Sequence, residues 1–583
     1  MNLANLPFTV PALRGAYAQG ATPRQVWDEF RRRLKAWDDP ALFLSLAEEA
    51  HLEPIFAALE GRKPADLPLF GVPFALKDNI DWAPLPTTAA CPGFAYKPDT
   101  SATVVDKLIA AGAFPVGKTN LDQFATGLVG TRSPYGTPRN AVAPGFVPGG
   151  SSSGSASAVA AGLVAFALGT DTAGSGRVPA AFQGLVGWKP TVGLVSTSGV
   201  FPACRTLDCV AVFTKTVDDA RAVAAVVEGF DATDPYSRPR KKTKTAVPVR
   251  PRIGIPQAMD WTVDPVYGRA WDKTVADWSA RGADLVPFDA SPLREAARLL
   301  YEGPWVAERL AAVKPLWDRD LELFHPVTRT VLKTAEGRTA VDTFQAYYRL
   351  EGLKRKAEAQ WKEFDFLLFP TTPTLPTLAQ VEADPIGVNS LLGTWTNFFN
   401  LLDLAGLALP AVPATDGRPF GVTLAGPAGS DRALFQVGQI WESGQAFGAP
   451  VIPGPTVIAV AGAHLKGLPL NGQLVDRGAR LLEETTTAAK YGLYAFRDGA
   501  LDKPGLVRSN DGGIAVPVEL WDMPEEGWGS FLSLIPHPLG LGKVELADGR
   551  WVTGFLMESS HITHSRDISS FGGWRAYLAN REL

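Results

Sequence analysis

Cysteine is scarce: the 583 residues hold three, Cys91, Cys204 and Cys209. They are too few and too scattered for a disulfide framework, and none stands in the CxxC spacing that holds zinc. A reducing, cytoplasmic setting fits that usage. Histidine is also short, with six residues. His51 and His325 lie in ordinary helical surroundings, so a Ser-His-Asp triad lacks a convincing base in the larger part of the chain. Long apolar runs are missing as well. The nearest, Ala156–Leu168, is too short and too rich in alanine and glycine to span a bilayer. The start, M-N-L-A-N-L-P-F-T-V-P, has no basic segment followed by an apolar one, so no secretory signal is expected. Nor is there a basic excess. A net charge of −4 argues against a surface that tracks phosphates, and hence against a nucleic-acid partner. The one basic run, Arg238–Lys244, reads as a solvated loop after the helix-like Val217–Gly229.

What is present describes a globular protein, with 46% hydrophobic and 20% charged residues. The length exceeds what one core accommodates, so two or more domains are expected. Helical periodicity marks Pro23–Trp37, Ser101–Ala111, Val217–Val227, Tyr267–Ala280 and Pro292–Val313. Short apolar runs lie between, at Leu67–Leu76, Ala113–Lys118, Val164–Gly169 and Phe366–Pro370. Strands alternating with helices argue for an α/β layered fold. The proline- and glycine-punctuated A-P-V-I-P-G-P-T at Ala449–Thr456 is the best boundary, dividing residues 1–450 from 456–583. Beyond it, Val457–Val460, Tyr491–Phe496, Gly513–Leu520, Gly542–Glu545 and Trp551–Met557 read as strands, with a helix around Gln473–Leu482. That is a small α+β domain.

Three segments carry chemistry. The first is V-P-G-G-S-S-S-G-S-A-S-A at Val147–Ala158. A linker would be followed by more polar sequence, and here a small-residue helix and an apolar strand follow. A phosphate loop would need a lysine after the last glycine, and none follows Gly154. The remaining reading is a device for attacking a carbonyl, which requires a nucleophile, a base and an oxyanion hole. The second segment, T-D-T-A-G-S-G at Thr170–Gly176, can supply a serine at a special turn, or can be a plain glycine-rich strand-to-helix turn. The third, G-V-P-F-A-L-K-D-N at Gly71–Asn79, ends an apolar strand on Lys77. Such a lysine is usually solvated. One drawn into the interior has its charged form disfavoured and can accept a proton near neutral pH.

Together, G-V-P-F-A-L-K-D, P-G-G-S-S-S-G-S-A and G-T-D-T-A-G-S-G-R-V-P-A resemble the amidase signature family. The resemblance is dense over about residues 65–215 and looser to about 450. It implies an α/β fold with a mixed central sheet covered by helices, and a Ser-cisSer-Lys triad: Ser175 acylated, Ser151 relaying its proton, Lys77 the ultimate base. It also implies a cis peptide at Gly150–Ser151 and an oxyanion hole of the N–H groups of Thr172, Ala173, Gly174 and Ser175. Ala173 stands where the family commonly has glycine. Asp171 reads as structural, holding the oxyanion loop.

Within that family, N-L-D-Q-F-A-T-G-L-V-G-T-R-S-P-Y-G at Asn120–Gly136 and L-Y-E-G-P-W-V-A-E-R-L at Leu300–Leu310 look like the allophanate hydrolase branch. The small anion H2N-CO-NH-COO⁻ is then the expected substrate. Arg309, eight residues after Tyr301 and so on the same helical face, offers a carboxylate fork, with Tyr301 adding a hydroxyl. The plain alternative is a helix charge paired with Glu308 or Glu302. Gly127 and Arg132 are placed on a loop facing the same pocket. Residues 456–583 resemble the C-terminal domain of that branch, itself similar to γ-glutamyl cyclotransferase-like folds. There it is associated with decarboxylation, and His464 is assigned to it, with Asn471 and Gln473 as neighbours. Alternatively His464 caps a strand. His561 and His564 lack a third ligand and read as surface residues. No cofactor or metal is expected, no membrane partner, and a homodimer is the expected assembly. A biotin-dependent urea carboxylase is the expected functional partner. The rival readings are a broad amidase or the glutaminase subunit of a tRNA amidotransferase, and a non-catalytic scaffold.

Overall fold

The computed structural model describes residues 3–239, 247–248, 250–257, 259–447, 457–498, 501–509 and 512–580. The boundary segment Ala449–Thr456 lies outside the described residues, as do positions 240–244 of the basic run. The chain divides into two compact units, with the division after Phe447.

Eleven strands form the sheet of the first unit: β1 (Phe43–Leu46), β2 (Pro73–Lys77), β3 (Phe114–Thr119), β4 (Phe166–Asp171), β5 (Val186–Lys189), β6 (Cys209–Thr214), β7 (Arg252–Pro256), β8 (Asp284–Phe288), β9 (Phe366–Pro370), β10 (Leu404–Pro410) and β11 (Gly421–Pro427). Their order is β1-β3-β2-β4-β6-β5-β10-β11-β9-β7-β8. The sheet is mixed: β2 runs parallel to β3 and β4, while β4, β6, β5, β10 and β11 alternate in direction. The central strands are buried along their whole length, which is why they read as continuous apolar runs rather than alternating ones. Phe74 and Phe166 face each other across β2 and β4 with rings stacked at 5.1 Å. Because β2 and β4 are parallel, their carboxyl ends lie side by side, and those ends are Lys77 and Asp171. A crevice at the carboxyl ends of parallel strands is where α/β sheets place ligands.

The helices follow the sequence signals where capping is explicit. Pro23–Trp37 has proline in its first turn and a reciprocal cap between Thr22 and Gln25. Val217–Val227 starts on Thr216, whose hydroxyl accepts from the Asp219 N–H. The small-residue helix Ser153–Ala160 lies close against the sheet: a Cβ on Gly154 would sit 2.7 Å from the Leu42 carbonyl oxygen. One expected helix is corrected. Pro292–Val313 is two helices, Ser291–Glu302 and Trp305–Arg319, interrupted at Gly303–Pro304. Gly303 takes an extended ψ, and proline lacks the N–H that would carry the helix on. None of the helices among the described residues is long and apolar enough to cross a membrane.

The second unit is built on strands β12 (Val457–Val460), β13 (Arg480–Thr486), β14 (Tyr491–Asp498), β15 (Leu501–Arg508), β16 (Pro517–Asp522), β17 (Leu539–Glu545), β18 (Trp551–Met557) and β19 (Arg566–Asp567). The order is β13-β16-β12-β18-β15-β14-β19, with β17 paired to β18. Its core gathers Ile458, Val460, Leu474, Tyr491, Leu520 and Trp521. The unit is richer in strand than the sequence reading had it. The helix expected at Gln473–Leu482 is a single turn, Gly472–Val475. It stops before Gly478, whose φ of +75° suits a left-handed turn, and Arg480 opens β13.

Candidate active site

Lys77 is fully buried, and its Nζ is 2.7 Å from both Ser151 Oγ and Thr170 Oγ1. Burial drives its pKa down to about 7, against the opposing pull of the Asp122, Asp208 and Asp171 carboxylates. An amine so poised exchanges a proton near neutrality. Thr170 was absent from the sequence reading although it lies inside the quoted G-T-D-T-A-G-S-G-R segment. It fixes the amine from β4 while Ser151 meets it from the loop.

That loop is held tightly. The Gly150–Ser151 peptide is cis. Gly150 must lack a side chain, since a Cβ there would lie 2.0 Å from Asp122 Oδ2, and the Asp122 N–H in turn donates to the Ser151 carbonyl. Ser152, left unassigned by the sequence, clamps the loop to β4: its hydroxyl donates to the Thr170 carbonyl and accepts from the Thr170 N–H. Asp122 organises the far side through the N–H groups of Gly130 and Arg132.

The turn after β4 hangs on Asp171. Its carboxylate accepts from the Gly174 and Gly176 N–H groups at 3.0 Å each and takes a two-pronged contact from Arg177 at 2.9 Å. Burial works to raise the pKa of this carboxyl, and the Arg177 guanidinium, Lys189 and the Gly176 N–H together more than offset it, so the group stays below the usual carboxylate range. Arg177 is also stacked on Phe399, and Asn400 donates to the Asp171 carbonyl. The expected oxyanion set is thereby corrected: the Gly174 N–H is engaged with Asp171, which leaves Thr172, Ala173 and Ser175. Ala173 belongs to an apolar cluster with Cys204, Leu207 and Leu300, so its methyl is absorbed by the core. The Thr172 hydroxyl donates to Asp208, whose carboxyl burial pushes up to about 6. Ser175 sits in this turn, 3% exposed, and no hydrogen bond joins it to Ser151 among the described residues. Asp171→Ala would leave Arg177 buried without its counter-charge. It should lower the unfolding free energy by about 3–5 kcal/mol in a urea titration.

Arg309 is 2% exposed, and one of its terminal nitrogens reaches the Ala125 carbonyl at 3.3 Å and the Thr126 hydroxyl at 3.5 Å. Its Nε and second terminal nitrogen are buried with no hydrogen-bond partner among the described residues. The alternative pairing with Glu308 is not made: that carboxylate accepts from Thr206. Tyr301 is on the preceding helix rather than the same one, yet its ring lies 5.3 Å from the guanidinium carbon. The charge of Arg309 also helps hold the Lys77 pKa down, so the two groups share one electrostatic site. Residues 124 and 125, next to it, both have φ above +50°, a conformation that non-glycine residues adopt where the surroundings enforce it.

Arg132 departs from its expected place as a substrate contact. Its terminal nitrogens are taken up by the Thr126 and Pro385 carbonyls, so it braces the loop. Gly127 serves the same framework, because a Cβ there would stand 2.5 Å from Asp122 Oδ2.

In the second unit, His464 lines a pocket with Lys503, Phe531 and Phe555. Its Nε2 is 3.0 Å from Gln473 Oε1, its carbonyl accepts from Asn471, and its ring stacks on Phe555 at 5.2 Å. Burial, against the Gln473 contact, holds its pKa below the ordinary value, and Lys503 adds to the lowering. His561 and His564 lie partly exposed and exposed.

A buried lysine joined to a loop serine, beside a serine in a turn of available N–H groups, is the arrangement of an amide-cleaving hydrolase. The amidase family model matches residues 26–435, and the chain belongs to that family. Residues 456–579 match the model of the allophanate hydrolase C-terminal domain. Among curated proteins, the chain is 42% identical to the urea amidolyase of Lachancea kluyveri over 96% of its own length, and 43% identical to that of Saccharomyces cerevisiae over 92%. It spans about a third of the length of these relatives, 32% and 31%. Among solved structures, it is similar to the Kluyveromyces lactis allophanate hydrolase, with 40% identity, a TM-score of 0.76 and 99% of each chain covered.

Proposed function

We propose that this chain hydrolyses allophanate in two steps. Ser175 attacks the carbamoyl carbonyl, its proton passing to Ser151 as the proton of Ser151 passes to Lys77. The tetrahedral oxyanion is received by the N–H groups of Thr172, Ala173 and Ser175. The C–N bond then breaks, and the amine leaves as ammonia with a proton returned from Lys77. Water hydrolyses the acyl-enzyme to N-carboxycarbamate. In the second unit a C–N bond of that dianion breaks with its electron pair going to nitrogen, which takes a proton from water as CO2 departs. His464 acts there. The product carbamate releases further ammonia and CO2.

The observation that carries the substrate assignment is Arg309, a buried guanidinium with two nitrogens lacking partners in the electrostatic reach of Lys77. A buried donor pair of this kind fits a carboxylate's two oxygens. The reading is also supported by the name of the Kluyveromyces lactis neighbour, which covers both units. A urea-carboxylating, biotin-dependent enzyme would supply the substrate, and a homodimer in the cytoplasm is the proposed setting.

Ammonia release from allophanate, with acetamide and glutamine as controls, tests the reading. Equal turnover of the uncharged amides would overturn the carboxylate clamp and favour a broad amidase. Arg309→Met should raise KM for allophanate by about 10–100-fold, as expected for loss of a charge-assisted pair. Arg309→Lys should recover only part, because an ammonium cannot present the fork.

A further inference from the structure

The first unit holds a polar cavity of about 320 Å³ that reaches from solvent toward the catalytic turn. At its buried end is Asp208, whose carboxylate takes the Thr172 hydroxyl at 2.5 Å and lies in electrostatic reach of both Lys77 and Arg309. Its wall includes Phe201, whose N–H donates to the carbonyl of Asn79, two residues beyond Lys77. At its open end is Arg205, which is exposed and makes no hydrogen bond or ion pair among the described residues. One tight turn separates the two ends: the Leu207 and Asp208 N–H groups both donate to the Cys204 carbonyl, which leaves Arg205 outside and Asp208 within. The carboxylates that face the cavity are already supplied with donors. Asp81 accepts from the Tyr96 and Thr87 hydroxyls, Asp208 from Thr172 and from the Ala203 and Cys204 N–H groups, and Asp234 from the Thr197 and Tyr236 N–H groups. Glu308, beside the same turn, is occupied by Thr206. What the charged lining still offers a ligand is the Arg205 guanidinium. A cation is also what an anion needs there, because the carboxylates along the path repel it.

We propose that Arg205 captures the carboxylate of the incoming substrate at the mouth of this cavity and passes it inward to Arg309. The inference rests on the allophanate reading above and deepens it, giving the anion a route as well as an anchor. Arg205 serves the encounter rather than the chemistry, so it raises kcat/KM and leaves kcat alone. An exposed charge acts weakly and is screened by salt, so the effect is modest and belongs to low ionic strength.

Ammonia release by the full chain from allophanate, malonamate and malonamide is the test: the first two are amides bearing one carboxylate, and the third is an uncharged amide of similar shape. At low ionic strength Arg205→Met should lower kcat/KM for the two anions about three- to fivefold, with kcat held and malonamide turnover unchanged. Arg205→Glu should lower it about tenfold or more. Arg205→Lys should keep most of it, because capture needs the charge rather than the fork. Salt at about 0.5 M should bring the variants and the unaltered chain together. An unchanged kcat/KM in both Arg205→Met and Arg205→Glu, a loss shared equally by malonamide, or a fall in kcat alone overturns the capture role. The allophanate reading is judged separately. If allophanate is not cleaved while malonamate turnover still falls in Arg205→Met, the capture stands and that reading falls. If Arg309→Met raises KM and Arg205→Met changes nothing, the reading stands and the capture falls. A chain that cleaves none of the three overturns both.

Discussion

Ser175→Ala should slow ammonia release from allophanate by about 10⁴-fold or more while leaving substrate affinity close to unchanged. The change removes one hydroxyl from a turn whose shape does not depend on it. The turn is suspended from Asp171 through the N–H groups of Gly174 and Gly176 and tied down by Arg177, and none of these bonds involves the Ser175 hydroxyl. The oxyanion donors are main-chain groups and survive the substitution. Arg309, the proposed anchor for the substrate carboxylate, is on a separate helix. Binding and chemistry should therefore come apart, with calorimetric affinity retained and single-turnover cleavage lost. Ser151→Ala combined with Ser175→Ala should be no slower than Ser175→Ala alone, because groups that act as one relay do not contribute additively. Normal turnover in Ser175→Ala would remove it from the mechanism altogether.

What could be expected of this site from sequence came from the resemblance of three separate motifs to one family, since the residues that meet are distant in the chain: Lys77 and Ser151 lie 74 positions apart. β2 is a buried parallel strand and so a continuous apolar run, which made the lysine at its end conspicuous; Asp171, at the end of β4, sits three and five residues before the amides it holds. Within the family resemblance a carboxylate in that position reads as a loop anchor. What spacing hides is which donor is already engaged. The Gly174 N–H was counted for the oxyanion hole and is instead held by Asp171. Arg132 was expected on a loop facing the substrate pocket, but its partners include the Pro385 carbonyl, 253 positions away. Thr170 could not be singled out because a strand threonine announces nothing until a lysine from another strand meets it.

The helix errors have the same root at shorter range. Periodicity continues through Gly303–Pro304 even though the backbone does not, so Tyr301 and Arg309 were placed on one face when they meet across a break. Near Gln473 the pattern of apolar residues fits a helix or the start of β13, and Gly478 decides for the strand.

Lys77 should give the clearest pH signature. With its pKa brought from the ordinary 10.5 down to about 7, the amine is uncharged above that value and can take the Ser151 proton; below it the base is occupied. The rate should therefore fall about tenfold per pH unit on the acid side. Asp208, with its carboxyl near 6, titrates close by through Thr172. The Lys77 limb should persist in Asp208→Asn, and a profile that becomes flat in that variant would transfer the role to the carboxyl. Lys77→Met should abolish turnover, and it also makes a prediction on stability whose sign changes with pH. In the native chain the folded state resists protonating this amine while the unfolded state does not. The resulting penalty is full below about 7, shrinks as pH rises, and is gone above about 10.5, amounting to about 4 kcal/mol at pH 7. Lys77→Met lifts that penalty but deprives the Ser151 and Thr170 hydroxyls of their shared partner, a loss of about 1 kcal/mol each. The variant should thus be more stable than the native chain by about 2 kcal/mol at neutral pH and no more stable near pH 10.5, read from urea titrations at both values. An inactive variant that gains nothing at neutral pH would mean the buried amine is charged at rest, and the base would have to be sought elsewhere.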